Sequence, residues 1–281
     1  SVLSHFKQDI KRIAKKPVEF SPQIYINPAL RRNIANDSIN IDLLKNDKQL
    51  NIIHISDLHF TEYEDSELFA NQLITDIKNE MKITNVGYLI ISGDIGYYST
   101  REEYDIAKNF IDIICKNLSI KRNKIIISPG NHDLNWDLSK NKQNKFQHYQ
   151  DFYKWLTGED YPDDVNHQTL LTVFEKDRIL FVSSNSAWNI DGDHKERSSI
   201  NIPSLTKVIR KIIEGNYDDW LKIFVCHHPI MGYKSMKNQF LEQLSVHDFK
   251  MCMTGHIHKT EKSYYNYDKD RKMHIVGAGT F

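Results

Sequence analysis

The sequence predicts a layered α/β protein, because short buried strands alternate with amphipathic helices along much of the chain. Apolar runs of roughly five residues, rich in Ile and Val, are typical of strands that are covered on both faces. They lie at residues 51–56, 88–92, 124–128, 179–184, 222–226, 250–254 and 273–277. Helical patterns lie between these runs, at residues 66–82, 100–118 and 204–213.

Each predicted helix has its own local signal. Apolar residues within 66–82 recur at steps of three and four, which is the spacing of one helix face. Thr100 and Glu103 form a capping box, in which each side chain can bond the backbone N–H of the other, so a helix is expected to begin there. Pro203 indicates the start of the third helix.

The composition is that of an ordinary globular protein and points to no particular partner. The 281 residues are 40% hydrophobic, and 37 Lys and Arg balance 37 Asp and Glu. A nucleic-acid binder usually carries an excess of basic residues, although a local basic groove stays compatible with this balance. Three cysteines without a CxxC pair favour a reducing compartment. The apolar runs are far shorter than the roughly 20 residues that span a membrane, so we predict a cytoplasmic protein.

Metal-binding residue types follow five of the predicted strands directly. These residues are Asp57 and His59, Asp94, Asn131 and His132, His227, and His256 and His258. In an open α/β sheet the carboxyl ends of the strands lie at one edge, where ligands bind. A lone Asp-x-His or His-x-His is usually an ordinary histidine, but five such coincidences in one chain indicate a metal site. The other histidines, such as His54, are expected to have no such role.

The types of side chain indicate which metals would bind. Carboxylate oxygens, imidazole nitrogens and an amide carbonyl, without any thiolate, suit Mn, Fe, Zn or Ni, and we take Mn as the leading candidate. Seven ligands are too many for one tetrahedral ion but fit two divalent ions that share a carboxylate and hold a bridging hydroxide. His132 would then be free to act as a general acid, with Asp133 orienting its imidazole or raising its pKa.

Two regions fall outside the alternation of strands and helices. Residues 1–48 are polar and basic and are expected to be an N-terminal extension or a peripheral helix, ahead of a main domain at 49–281. Residues 134–175 contain clustered aromatics and are expected to be a partly helical insertion beside the site. The aromatics at 146–155 could stack on bases, but their near-helical spacing favours the apolar face of a helix. The Asn- and Lys-rich stretch 139–145 is predicted to be a loop.

A few other polar residues remain open to two interpretations. Lys140, Lys142 and Lys145 could contact nucleic-acid phosphates, although a solvated loop is the preferred interpretation. Asn185 and Ser186 follow a predicted strand and could touch a substrate or simply form a polar turn.

In their order along the chain, the five motifs resemble the calcineurin-like metallophosphoesterase superfamily. The motifs are Asp57-Leu58-His59, Gly93-Asp94, Gly130-Asn131-His132-Asp133, His227 and Gly255-His256-Ile257-His258. The resemblance runs from about residue 51 to 277, and it implies a two-sheet β-sandwich flanked by helices in four αββα layers. It also implies a catalytic domain with two metals. Asp57, His59 and His258 would bind the first metal, Asn131, His227 and His256 the second, and Asp94 both, while His132 would contact the phosphate.

The departures from the family pattern favour its phosphodiesterase and nuclease branch, in its bacterial form. Gly96, Tyr97 and Tyr98 stand where protein phosphatases of the family carry an arginine that grips a phosphomonoester. We therefore expect a nucleotide or nucleic-acid phosphodiester as substrate. The alternatives are a phosphomonoesterase or pyrophosphohydrolase, including a protein phosphatase, and a weakly catalytic metal-binding interaction module. The end at Phe281, soon after a strand, predicts a piece of a larger protein with further domains.

Overall fold

The protein is described by a computed structural model for residues 4–9, 23–25, 49–140, 144–195, 197–229, 234–269 and 271–279. Its first sheet contains β1 (Ser4–Asp9), β2 (Gln23–Tyr25), β3 (Gln49–Ile55), β4 (Tyr88–Ile91) and β5 (Ile125–Ile127). The strands lie in the order β2-β1-β3-β4-β5. The last three are parallel, and β1 pairs antiparallel with β3 and with β2.

The second sheet contains β6 (Thr169–Phe174), β7 (Ile179–Ser184), β8 (Leu221–Val225), β9 (Met251–Thr254), β10 (Glu261–Asn266) and β11 (Lys272–Gly277). They lie in the order β10-β11-β9-β8-β7-β6. The four central strands are parallel, whereas β6 and β10 are antiparallel at the two edges. In both sheets, therefore, the parallel strands carry their carboxyl ends to a common edge.

The helices are α1 (Tyr63–Thr75), α2 (Arg101–Leu118), α3 (Trp136–Lys140), α4 (Gln147–Thr157), α5 (Ile202–Glu214) and α6 (Lys234–Val246). A π-helical turn at Asp76–Glu80 extends α1, and 3₁₀ turns occur at Arg122–Lys124 and Val165–His167. In the described part of the chain, every helix is too short or too polar to cross a membrane.

Alternation along the strands produces three apolar layers. On β3, Ile53 and Ile55 face a core shared with α1, α2 and α4, whereas Ile52 faces the layer between the two sheets. Phe181 on β7 and Val225 on β8 enter that central layer from the second sheet. A third cluster lies between the outer face of the second sheet and α5 and α6. This arrangement confirms the predicted sandwich with four αββα layers.

The seven predicted strands are all present, with ends that shift by two residues at most. The N-terminal region differs from one expectation, since the described parts of residues 1–48 are β1 and β2 and not a helix. β1 pairs with β3 and β2 pairs with β1, so both strands extend the first sheet. Pairing with a neighbouring strand therefore decides their structure more than the local sequence pattern does. Residues 134–175 contain the helices α3 and α4 and also the strand β6. Of the predicted loop at 139–145, residues 139 and 140 belong instead to α3, and residues 141–143 lie outside the described part of the chain.

Candidate metal centre

The five motif loops meet at the carboxyl edge of the parallel strands. Asp57 and His59 follow β3, and Asp94 and Asn131 follow β4 and β5. From the second sheet, His227 follows β8, and His256 and His258 follow β9. Four of these loops are joined in pairs through backbone bonds, because Asp57 N–H donates to the carbonyl of Gly93 and Gly255 N–H donates to that of His227.

A first group of donors surrounds Asp57. Its Oδ1 lies 3.9 Å from His59 Nε2 and 3.4 Å from His258 Nε2. The other oxygen, Oδ2, accepts a hydrogen bond of 3.0 Å from the backbone N–H of His256. One oxygen therefore holds the carboxylate in place, while the other points at the two imidazoles.

Asp94 connects this group to a second one. Its Oδ2 lies 3.9 Å from His59 Nε2 and 3.1 Å from His227 Nε2. His227 Nε2 in turn lies 3.2 Å from His256 Nδ1. The same carboxylate oxygen thus faces both groups, and its partner Oδ1 is held by the backbone N–H of His132 at 2.8 Å.

Several of these residues have an unusual backbone conformation. The φ angles of Asp57, His59, Asp94, His256 and His258 are 56°, 47°, 52°, 71° and 53°. Left-handed backbone is uncommon for residues with a side chain and is found mainly at functional sites, where the surrounding structure imposes it. Here the loops turn back immediately after each strand, which brings the side chains together above the sheet edge.

The glycines next to the ligands allow the loops to approach closely. Gly93 has a φ of 93°, and a Cβ added there would lie 2.7 Å from the imidazole of His227. A Cβ on Gly130 would lie only 2.1 Å from Asp94 Oδ1. Side chains at these two positions would separate the ligands.

Buried polar atoms show that the residues fit metal ions. Within the described segments, Asp57 Oδ1, His59 Nε2 and Asn131 Oδ1 are buried and have no hydrogen-bond partner. A buried polar atom without a hydrogen-bond partner costs about 1–3 kcal/mol. Three such atoms close together therefore indicate a site that binds a cation. Oxygen and imidazole donors together suit a divalent transition metal.

The pKa shifts around Asp94 also indicate a site for a cation. Burial favours the neutral imidazole of His227, but the Asp94 carboxylate outweighs it and raises the pKa of His227 to about 9. The pKa of Asp94 is lowered in return, against the effect of its burial. Burial lowers the pKa of His59 and of His256, which favours the neutral imidazoles that metals require. A proton on His227 therefore stands where a cation would be bound.

Backbone carbonyls orient two of the imidazoles. His227 Nδ1–H donates to the carbonyl of Ser92 at 2.8 Å, so Nε2 is the atom that faces Asp94 and that would bind a metal ion after losing its proton. His132 Nδ1–H donates to the carbonyl of Tyr97 at 2.8 Å. No side-chain motif could have indicated these two partners, because any residue type supplies a carbonyl.

The hydrogen-bond partners of Asp133 lie elsewhere than on the imidazole of His132, which Asp133 was predicted to orient. Its Oδ1 accepts hydrogen bonds from the backbone N–H of Ile95 and from the Tyr104 hydroxyl, and its Oδ2 accepts one from Gly130 N–H. Burial, followed by the nearby Asp94, raises its pKa to about 6. Asp133 thus holds loop backbones together, whereas the imidazole of His132 is oriented by a carbonyl.

His228 and Ser186 form a pair beside the second group. The backbone N–H of His228 donates to Ser186 Oγ at 3.1 Å, and its Nδ1 shares a second hydrogen bond of 2.8 Å with the same oxygen. The ligand atoms of His227, His228 and His256 lie within 4.8 Å of one another. Sequence reasoning considered Ser186 only as a turn or substrate residue and missed this contact.

Asn185, Lys145 and the aromatics of α4 make contacts within the fold. Asn185 bonds Gln168 and the backbone of Ala187, as expected for a turn. Lys145 donates to the carbonyls of Trp188 and Ile190, and its burial lowers its pKa to about 8. The aromatics of α4 confirm the helix-face interpretation, because they pack into the core against α2. Lys140 ends α3, and Lys142 lies outside the described residues.

The structure is a two-sheet sandwich with Asp, Asn and His residues clustered at its strand ends, an arrangement that suits a metal centre. The calcineurin-like phosphoesterase family (Metallophos) matches residues 50–260, and the chain belongs to this family.

Individual relatives are distant. The metallophosphoesterase-like protein YydB of Bacillus subtilis (strain 168) is 22% identical over 243 residues, which cover 75% of this chain and 49% of that protein. The purple acid phosphatase PPD1 of yellow lupin (Lupinus luteus) seeds has a similar fold, with a TM-score of 0.55 and 12% identity over 83% of this chain and 46% of that one. The 5'-nucleotidase of Candida albicans SC5314 is more remote, with a TM-score of 0.46 and 15% identity over 82% and 45% of the two chains. The chain spans about half the length of each of these proteins.

Proposed function

We propose that the protein hydrolyses a phosphodiester of a nucleotide or nucleic acid, with two divalent metal ions and with His132 as the general acid. The observation that carries the proposal is the position of Asp94, whose Oδ2 faces both His59 and His227. A carboxylate between two donor groups is what a centre with a shared ligand requires.

Each of the two donor groups would hold one ion. Asp57, His59 and His258 would hold one ion, Asn131, His227 and His256 the other, and Asp94 both. When bound, the ions supply Lewis acidity to the phosphoryl oxygens and make water a stronger nucleophile. Mixed oxygen and nitrogen donors are compatible with Mn²⁺, Fe, Zn or Ni, and we take Mn²⁺ as the leading candidate.

The position of His132 supports its role as the proton donor to the leaving group. Its ring lies edge-on to that of His59 at 4.7 Å, so it stands beside the first group of donors. Because Nδ1–H is held by the Tyr97 carbonyl, Nε2 is the atom that carries the transferable proton. As water attacks phosphorus and the bond to the leaving oxygen breaks, Nε2 protonates that oxygen and prevents a free alkoxide from forming.

The loop after Asp94 supports a diester and not a monoester substrate. A phosphomonoester carries one more negative charge than a diester and gains more from an additional cation. In this chain the uncharged residues Gly96, Tyr97 and Tyr98 occupy the stretch where protein phosphatases of the family carry an arginine.

A substrate panel with Mn²⁺ tests the proposal. We expect faster hydrolysis of bis-p-nitrophenyl phosphate than of p-nitrophenyl phosphate, and turnover of at least one substrate among cyclic nucleotides and single- and double-stranded DNA. A clear preference for the monoester would overturn the diester assignment.

The His132→Ala variant tests the mechanism. It should retain about two metal ions per chain in elemental analysis and lose roughly 10²–10⁴-fold in kcat on a dinucleotide, which releases a basic alkoxide. The loss should be smaller on the nitrophenyl diester, since nitrophenolate is a stable leaving group that needs little protonation. His167→Ala, at an exposed histidine on the 3₁₀ turn, serves as the control. Equal losses on both diesters would remove His132 as the acid, and one ion or none would contradict the shared centre.

A further inference from the structure

Two tyrosines lie exposed at the mouth of the candidate metal centre. The side chains of Tyr97 and Tyr98 are 40% and 61% exposed, respectively. They come from the loop that follows Asp94, one of the proposed ligands. Large aromatic side chains in contact with water, next to a cluster of functional groups, indicate a surface that binds something apolar and flat.

The loop that carries them is held firmly. Both carboxylate oxygens of the buried Glu103 accept hydrogen bonds of 3.0 Å from Tyr98 N–H, and one of them also accepts a bond of 3.0 Å from Thr100 N–H. Ser99 Oγ donates to the carbonyl of Asp133 at 2.8 Å. The tyrosines are therefore exposed although their backbone is fixed, and a fixed aromatic surface binds with little loss of conformational freedom.

The rings of Tyr97 and Tyr98 extend from the candidate metal centre towards solvent. The ring of Tyr97 lies 5.0 Å from that of His132 and 5.6 Å from that of His59. The ring of Tyr98 contacts Tyr97 edge to face at 4.6 Å. These rings form an aromatic shelf, defined here as Tyr97 and Tyr98, that begins at the proposed acid and extends into solvent.

We propose that the aromatic shelf stacks against the nucleobase of the leaving nucleoside. This inference rests on the proposed function, because the position of His132 defines the side of the leaving group. Tyr97, whose carbonyl orients His132, also has its ring 5.0 Å from the His132 ring, and so it lies on the side of the leaving group. Stacking uses the π-face that all bases share, and so the shelf selects for a nucleoside without selecting a particular base.

A matched pair of diesters isolates the contribution of the base. One is a dinucleoside monophosphate, and the other is the same diester with the leaving nucleoside replaced by its abasic tetrahydrofuran analogue. Both release an alkoxide of similar basicity, so the acid has the same task in each. The quantity to measure is the ratio of kcat/KM for the first diester to that for the second, with the full chain and Mn²⁺.

We expect the wild-type ratio to be well above one and the Tyr97→Leu variant to bring it down roughly 5- to 150-fold, mainly through KM, as stacking of one base allows. Tyr98→Leu should lower the ratio in the same direction. Tyr97→Phe keeps the ring and should keep the ratio. Tyr267→Leu, at a comparably exposed tyrosine in the turn after β10, is the matched control and should also keep it.

The outcomes separate this inference from the proposed function. If the wild-type protein with Mn²⁺ hydrolyses neither diester, the proposed function fails. If it hydrolyses both and the ratio is near one, or if Tyr97→Leu lowers kcat/KM equally for both, the shelf does not bind the base and the inference is overturned. Metal content measured on each variant shows whether a loss has arisen from a damaged centre.

Discussion

Asp133 shows at the residue scale how a motif residue can serve the fold. Its carboxylate is buried and accepts hydrogen bonds from the loop after β4, from α2 and from the loop after β5. The sequence places it beside His132, and adjacency suggested that it orients the imidazole. Neighbours in a tight loop can point in opposite directions, however, and here the two side chains have separate partners.

Replacing Asp133 by Asn should destabilise the protein by about 1–3 kcal/mol, because an amide NH₂ would face a backbone N–H that now has an acceptor. We also expect slower turnover, since the loop that positions Tyr97 and His132 would loosen. Urea unfolding and a diester assay measure the two effects. Asp105→Asn, at an exposed carboxylate paired with Lys108, is the control and should change stability by less than about 0.5 kcal/mol. An unchanged unfolding midpoint for Asp133→Asn would contradict the assigned role.

At the scale of elements, the start of α2 joins a helix cap to the site. Thr100 Oγ1 accepts from Glu103 N–H, and Glu103 returns a bond to Thr100 N–H. The same Glu103 holds Tyr98 N–H, so the capping box also fixes the loop after Asp94. The sequence predicted the capping box, but it did not predict that Glu103 also accepts a hydrogen bond from Tyr98 N–H.

Thr100→Ala removes the acceptor for Glu103 N–H and should lower the free energy of unfolding by about 1 kcal/mol, within a range of about 0.5–2. Thermal or urea unfolding measures this change. Glu102→Gln alters an exposed neighbour in the same helical turn and should be close to neutral. Equal stability of the Thr100→Ala variant and the wild type would show that the cap contributes nothing here.

One of the strands that the sequence did not predict has a clear physical cause. The edge strand β10 contains Glu261, Lys262 and Ser263, so it lacks the apolar run of a buried strand. Its place is decided by pairing with β11, a contact that a single stretch of sequence does not reveal. In contrast, the central parallel strands are covered on both faces, and their sequences show this as continuous apolar runs.

On the scale of the whole molecule, the burial of His54 makes the stability of the protein depend on pH. His54 lies on β3, fully buried, with its Nε2 2.8 Å from the hydroxyl of Ser92 on the neighbouring strand loop. Burial lowers its pKa from the usual 6.5 to about 3. Between these values the unfolded chain binds a proton that the folded chain does not, so stability falls as pH falls below 6.5.

We predict that, between pH 7.5 and 5.5, the metal-free protein loses about 1.4 kcal/mol more stability than the His54→Gln variant does. Urea unfolding at the two pH values, with a chelator present, measures the difference. His167→Gln, at an exposed histidine, should retain the wild-type dependence. If wild type and His54→Gln lost stability in parallel, His54 would not be the group responsible.

The sequence by itself determined the alternation of strands and helices and the chemistry at five strand ends. Both are local properties of the sequence. Apolar runs indicate which strands are buried, and the residue types directly after them indicate what the edge of the sheet can bind. Only the tertiary structure decided that Asp94 faces both donor groups, that Asp133 holds backbones and that Tyr97 and Tyr98 stand exposed beside His132. Those contacts join residues that are distant in the chain, and the order of the strands in the two sheets brings them together.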